Sequence, residues 1–134
     1  MDGLRFENLM RSAFRPFLAP LQFVMQPIHI SGRHYSASFV GPSHTLLVGF
    51  EPGDGQTIVM LQANGSNSIR SFDDPETTPR LSTLNAQYMG LVEGKERAEN
   101  EAFFGQLQPQ DEQERALIKC AKDLRLVLPR YLRL

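Results

Sequence analysis

Residues 33–61, RHYSASFVGPSHTLLVGFEPGDGQTIVML, constrain this chain more than any other stretch. They read as three consecutive strands joined by two tight connections. In HYSASFV, Tyr35, Ala37 and Phe39 alternate with Ser36 and Ser38. That period of two suits a sheet with one buried and one wet face. Gly41-Pro42-Ser43 cannot continue a central strand, because Pro has no N–H to give the ladder. In TLLVGFE, Leu46, Val48 and Phe50 share one face, and Leu47, Gly49 and Glu51 the other. Pro52-Gly53-Asp54-Gly55 is a turn: Pro presets φ, and the glycines accept positive φ. TIVML is apolar at both parities, which predicts a strand covered on both faces or lying centrally. Asn64-Gly65 ends it with a favoured turn pair. With Ser66 the pair is formally a glycosylation sequon, read here only as a turn.

The flanks are mostly helical. Phe6, Leu9, Met10, Ala13, Phe14 and Phe17 recur at helical spacing and predict a helix over 3–19, kinked or ended by Pro16 near Arg15. This stripe reads as a face packed on the sheet; a membrane-surface or partner-binding helix is the alternative. Residues 21–30 read as the first strand, at an edge or bulged because of Pro27. A short further strand is expected near 68–72, followed by the acidic loop Asp73-Asp74-Pro75-Glu76. Thr78 as N-cap and Pro79 as first helical residue predict a helix start, with Leu81, Leu84, Tyr88, Met89 and Val92 inward and Gly94 as a stop or bend. A second helix is expected over 95–107, with Ala98, Ala102, Phe103 and Leu107 inward. Pro109 opens a last helix that Pro129 ends, its core face formed by Leu117, Cys120, Ala121, Leu124, Val127 and Leu128. The tail beyond packs back through Tyr131 and Leu132.

A chain of 134 residues suits one domain, 1–134, able to bury about two-thirds of its unfolded surface. A formal net charge of −1 argues against a dedicated nucleic-acid binder. The single Cys120 forms no internal disulfide, and with neither a signal peptide nor a membrane-length apolar run in view, a cytoplasmic protein is expected.

The search for chemistry returns little. His29, His34 and His44 match no usual metal-ligand spacing, and His29 and His34 are expected to face opposite ways. No metal or cofactor is expected. Cys120 on a buried stripe is an inert thiol. No Gly-Xaa-Ser-Xaa-Gly or Ser-Xaa-Xaa-Lys motif occurs, and no phosphate-cradling loop. The carboxylates Asp73, Asp74 and Glu76, with Glu51 and Asp54, suit turns as well as acid–base pairs. An enzyme is not expected.

Charge distribution says more. Residues 71–114 hold ten acids against three bases, whereas the last twenty residues hold six bases and one acid. Such a split suits a protein partner of complementary charge; a solvated helical surface matched to helix dipoles explains it equally well.

Finally, Arg15-Pro16-Phe17-Leu18, then Leu21-Gln22-Phe23, then Tyr35-Ser36-Ala37 and Leu46-Leu47-Val48-Gly49-Phe50-Glu51-Pro52-Gly53-Asp54 together form a pattern over roughly the first half of the chain. It resembles small immunity-type proteins found beside bacterial polymorphic and contact-dependent toxins. The resemblance implies a protein that binds one cognate toxin domain and blocks its active site, without catalytic residues of its own. The expected architecture is α+β: an N-terminal helix, a four- or five-stranded antiparallel meander, and about three C-terminal helices on one face. The candidate partner contacts are Asp73, Asp74, Glu76, Glu51 and Asp54. The alternative is a cytoplasmic chaperone or adaptor for a secreted effector, which a homodimer would favour. Neither reading involves nucleic acid or a membrane.

Overall fold

A computed structural model of the chain describes residues 1–65 and 78–134. Helix α1 (Gly3–Leu9) opens on Asp2, whose carboxylate accepts the Arg5 N–H at 2.8 Å. A π-helical stretch (Met10–Phe14), helix α2 (Arg15–Leu18) and one 3-10 turn (Ala19–Leu21) follow without interruption. Pro16 thus widens the helix rather than ending it. Proline has no N–H and its ring crowds the carbonyl four residues back. The turn before it therefore opens, and the Arg15 N–H reaches back to the Met10 carbonyl.

The sheet is antiparallel and five-stranded: β1 (Val24–Met25), β2 (His29–Ser31), β3 (His34–Val40), β4 (His44–Glu51) and β5 (Gln56–Ala63). Its order is β1-β3-β4-β5, with β2 beside β1 along the same edge of β3. The strand expected over 21–30 is therefore two short pieces. Leu21 and Gln22 belong to the preceding turn, and Pro27 separates the pieces at the sheet edge, although the Gln26 N–H still donates to the Ser38 carbonyl at 2.8 Å. The turn at residues 52–55 forms as expected. Gly55 adopts φ +69°, and its N–H donates to the Glu51 carbonyl. β5 is terminal in the sheet, not central, yet Val59, Met60 and Leu61 are all buried.

One face of the sheet carries the core. Its cross-strand rows are Tyr35–Phe50, Ala37–Val48–Val59 and Phe39–Leu46–Leu61. The Phe6 ring lies 5.7 Å from Tyr35 and 6.3 Å from Phe50, and Phe14 lies 6.3 Å from Phe39. Helix α5 (Glu112–Leu132) adds Leu117, Ala121, Leu124, Val127 and Leu128, all fully buried. Burying each of the leucines and the valine contributes about 1.5–3 kcal/mol.

The C-terminal half departs from several sequence expectations. Thr78 and Pro79 do not start a helix. Residues 78–80 run beside β5, with Arg80 bridged to Met60 and the Leu61 N–H donating to the Pro79 carbonyl at 3.0 Å. Helix α3 (Leu81–Tyr88) begins only after this pairing, with Arg80 at its N-cap. Gly94 opens helix α4 (Gly94–Phe103) instead of closing α3, because Glu93 and Glu96 form a reciprocal capping box around it. The inward face of α4 is also reassigned. Ala98, Ala102 and Phe103 are exposed, and Asn100 and Phe104 are buried. Asn100 can be buried because it is satisfied: its amide donates to the Lys122 carbonyl and its oxygen accepts from Arg125, both at 3.0 Å. Phe103 instead lies under the Arg125 guanidinium, 4.1 Å from its ring centre. Helix α5 starts at Glu112, capped by Asp111, and passes through Pro129 to Leu132. Tyr131 and Leu132 pack on the core as expected, but as part of that helix. The strand expected near 68–72 lies outside the described residues.

Candidate functional site

The alternation that turns Phe39, Leu46 and Phe50 inward turns an equal number of residues outward. The register stacks these in rows across the sheet. One row is Val24–Val40–Thr45–Gln62; the next is Ser38–Leu47–Met60–Arg80; the third is His29–Ser36–Gly49–Ile58. Glu51 pairs with Gln56 on the same face, at the end where Ser31 pairs with His34. The outer face is thus graded. One end carries Val24 and Val40 beside Thr45 and Gln62, and the other is polar and ionisable.

The apolar residues of this face are partly in water. Val24 is 61% exposed and its cross-strand partner Val40 41%, while Leu47 and Ile58 are half-buried. Met60 is the exception, buried where residues 78–80 run alongside. A shallow hollow of about 320 Å³ lies on this face, bordered by Ser36, Ser38, Leu47, Gly49, Ile58 and Arg80. Gly49 forms its floor. A methyl group there would sit 3.3 Å from the His34 ring, so the imidazole lies across the glycine.

His29 and His34 both belong to this face, against the expectation that they would point apart. Gly32 and Arg33 form a two-residue turn between paired Ser31 and His34. Counting residues along one strand does not carry across that turn; directly paired residues share a face. His44 lies apart at the start of β4, its ring 5.5 Å from Tyr131, and burial pushes its pKa below the usual imidazole value. Among the described residues, no three His, Cys, Asp or Glu side chains come together to hold a metal ion. Cys120 is half-buried, and desolvation, reinforced by Asp123, pushes its thiol up to about 11.

Of the candidate contacts, Glu51 and Asp54 sit together at the β4–β5 turn. Glu51 is half-buried at the rim of the outer face; Asp54 is exposed and accepts the Gln56 N–H at 3.4 Å. The turn is held to α5 by the Gln113 side chain, which donates to the Pro52 carbonyl at 2.9 Å. Asp73, Asp74 and Glu76 lie outside the described residues.

Among the described residues, part of the charge split is consumed inside the molecule. Glu96 pairs with Arg130 and Glu101 with Lys122, both at 2.8 Å, and Asp111 and Glu114 both meet Arg5, at 2.7 and 2.6 Å. Arg130 and the Glu93 N–H hold the Glu96 carboxyl below its ordinary value. The Glu114 N–H, and then Arg5, do the same for Asp111.

Sequence reasoning missed Val24, Val40 and Ile58 as a surface. The signal was present, since Val40 and Leu47 occupy outward positions of strands whose inward positions are already filled by Phe39, Leu46 and Val48. Among the described residues no helix is long and apolar enough to cross a membrane. No family model, curated protein or solved structure matches the chain.

Proposed function

We propose that the chain is a stoichiometric protein-binding module whose interface is the outer face of the sheet. The supporting observation is the pair Val24 and Val40, apolar, directly paired and solvent-facing beside half-buried Leu47 and Ile58. An antiparallel sheet with one wet face normally alternates to polar residues there. An apolar patch with Ser31, His34, Glu51 and Gln56 at one end has the composition of a recognition surface, with polar residues at its margin. Glu51 and Asp54 stand at that border, where charges act on association rate more than on affinity.

On the sequence resemblance, the partner is the catalytic domain of a bacterial toxin, and the module acts as an immunity protein by covering the toxin's active site. Occlusion requires no chemistry from the inhibitor. It requires about 800 Å² of surface on each partner and slow dissociation.

The test is affinity capture from native cells, with mass spectrometry of what survives a salt wash. The wild type is compared with the doubly substituted Val40→Asp, Leu47→Asp chain. One near-stoichiometric enzymatic domain, lost from the double variant, is the expected result. An intact secreted effector with export components would replace the immunity reading by that of a chaperone, and capture of nothing would overturn the stable-complex mechanism.

A further inference from the structure

The terminal strand β5 carries a second opening, at its edge. The Leu61 N–H points away from β4, since it donates to the Pro79 carbonyl, whereas the Asn64 N–H points toward β4 and donates to Ser43. Backbone groups alternate in direction along a strand. Val59 and Thr57 therefore share the outward direction of Leu61, while Ile58 and Gln56 share the inward direction of Asn64. Among the described residues, 79–81 cover the edge from Leu61 to the Val59 carbonyl. Among the described residues, the outward N–H and C=O of Thr57 and the outward N–H of Val59 have no hydrogen-bond partner, whereas the Val59 carbonyl faces the Leu81 N–H across the Met60–Arg80 bridge.

These groups border a cleft of about 390 Å³ between β5, α3 and α5. The same cleft is lined by Thr57 and Asn85, whose Oγ1 and Oδ1 are the two fully buried side-chain polar atoms without a partner among the described residues. The Asn85 amide nitrogen is already committed, donating to Asp123 Oδ2 at 3.2 Å, so its oxygen is left to accept. Buried polar atoms are rarely left unpaired, because each loses its bond to water without a replacement. Ile58, Leu81, Ala116 and Cys120 supply apolar walls.

We propose that this edge accepts an extended peptide segment of a partner protein as an added strand. The open groups are two backbone donors two residues apart and one backbone acceptor, together with one amide oxygen and one hydroxyl. A peptide backbone offers that alternation of N–H and C=O, and added strands gain affinity through it. The inference rests on the reading of the chain as a protein-binding module, and places a second contact at right angles to the outer face.

The test uses the isolated chain and a displayed library of random linear dodecapeptides. Amide exchange comes first: Thr57 and Val59 exchange at least a hundredfold faster than Ile58 and Met60 in the free protein. Protection of Thr57 and Val59 overturns the proposal at once. Peptides enriched on the wild type slow exchange at those two amides and bind Thr57→Pro about tenfold more weakly, because proline removes one outward donor without touching the β4 ladder. Thr57→Val, which keeps the strand and removes only the hydroxyl, weakens them by about threefold and serves if the proline variant misfolds. Leu47→Asp leaves them unchanged. Enriched peptides that ignore Thr57→Pro and Thr57→Val but fail on Leu47→Asp overturn the edge proposal while supporting the outer-face interface. Absence of enrichment over an unrelated protein overturns it as well.

Discussion

The two faces of the sheet are made from the same strands by the same alternation, yet they meet different surroundings. The inner face sets Ala37, Phe39, Leu46, Val48 and Phe50 against helices, and every one is buried. The outer face sets Val24, Val40, Leu47 and Ile58 against water or only half out of it. Hydrophobicity on the inner face is explained by folding. On the outer face folding requires less of it, and the partner proposed above would account for the remainder. The contrast separates residues that hold the fold from residues that are free to recognise.

The largest effect that sharpens the contrast is a truncation on each face. Phe50→Ala removes a fully buried ring that stacks near Phe6, and is expected to cost about 3–5 kcal/mol. Leu47→Ala, earlier on the same strand but facing outward, is expected to cost less than about 1 kcal/mol, since a half-buried side chain loses less on truncation. Denaturant midpoints of the two variants measure the difference directly. Equal losses would mean that both faces are core.

The ion pairs give an intermediate effect. Arg5 meets Glu114, whose side chain is only 8% exposed, so Arg5→Ala leaves a carboxylate poorly solvated and unpaired. Because Arg5 itself is 29% exposed and solvent screens the pair, the denaturation midpoint is expected to fall, but by less than for Phe50→Ala.

Smaller still is Gly49→Ala on the outer face. The added methyl meets the exposed His34 ring, which has open solvent to swing into, so a change within about 0.5 kcal/mol is expected. A larger loss would show that His34 is fixed in place and that the outer face is less open than its exposure implies.

The smallest effect is in pH. The folded state depresses the His44 pKa by burial, so the unfolded chain binds the proton more readily. The stability it contributes is complete above the unfolded value of 6.5 and declines as pH falls below it toward the folded value. Glu96 and Asp111 act in the same direction at lower pH, below their unfolded values of 4.5 and 3.8. Stability measured from pH 7 to pH 3 is therefore expected to fall in two stages, and His44→Phe is expected to flatten the first.

How much of this was legible in the sequence follows from which signals are local. The strands at 34–40, 44–51 and 56–63 were readable because alternation and turn residues are local, and so was the stripe of phenylalanines in the first helix. The start of α3 was not, since Thr78 and Pro79 carry a good local cap signal that pairing with β5 overrides. The face of α4 was misread for a related reason. Asn100 is inside only because Arg125 and the Lys122 carbonyl, more than twenty residues away, satisfy it. The continuation of α5 through Pro129 is likewise settled by packing on the core. For the candidate site, Glu51 and Asp54 were visible as turn carboxylates, but their neighbourhood was not. The shared face of His29 and His34 depends on register across a turn, and the apolar outer surface depends on which side the helices cover.

The most direct measurement combines both faces in one molecule. The Val40→Asp, Leu47→Asp chain is tested for its denaturation midpoint and for partner capture side by side with the wild type. A chain that keeps its stability to within about 1 kcal/mol while losing the partner is the expected outcome. A chain that unfolds, or one that retains its partner at wild-type stoichiometry, would contradict the division of the sheet into a folding face and a recognition face.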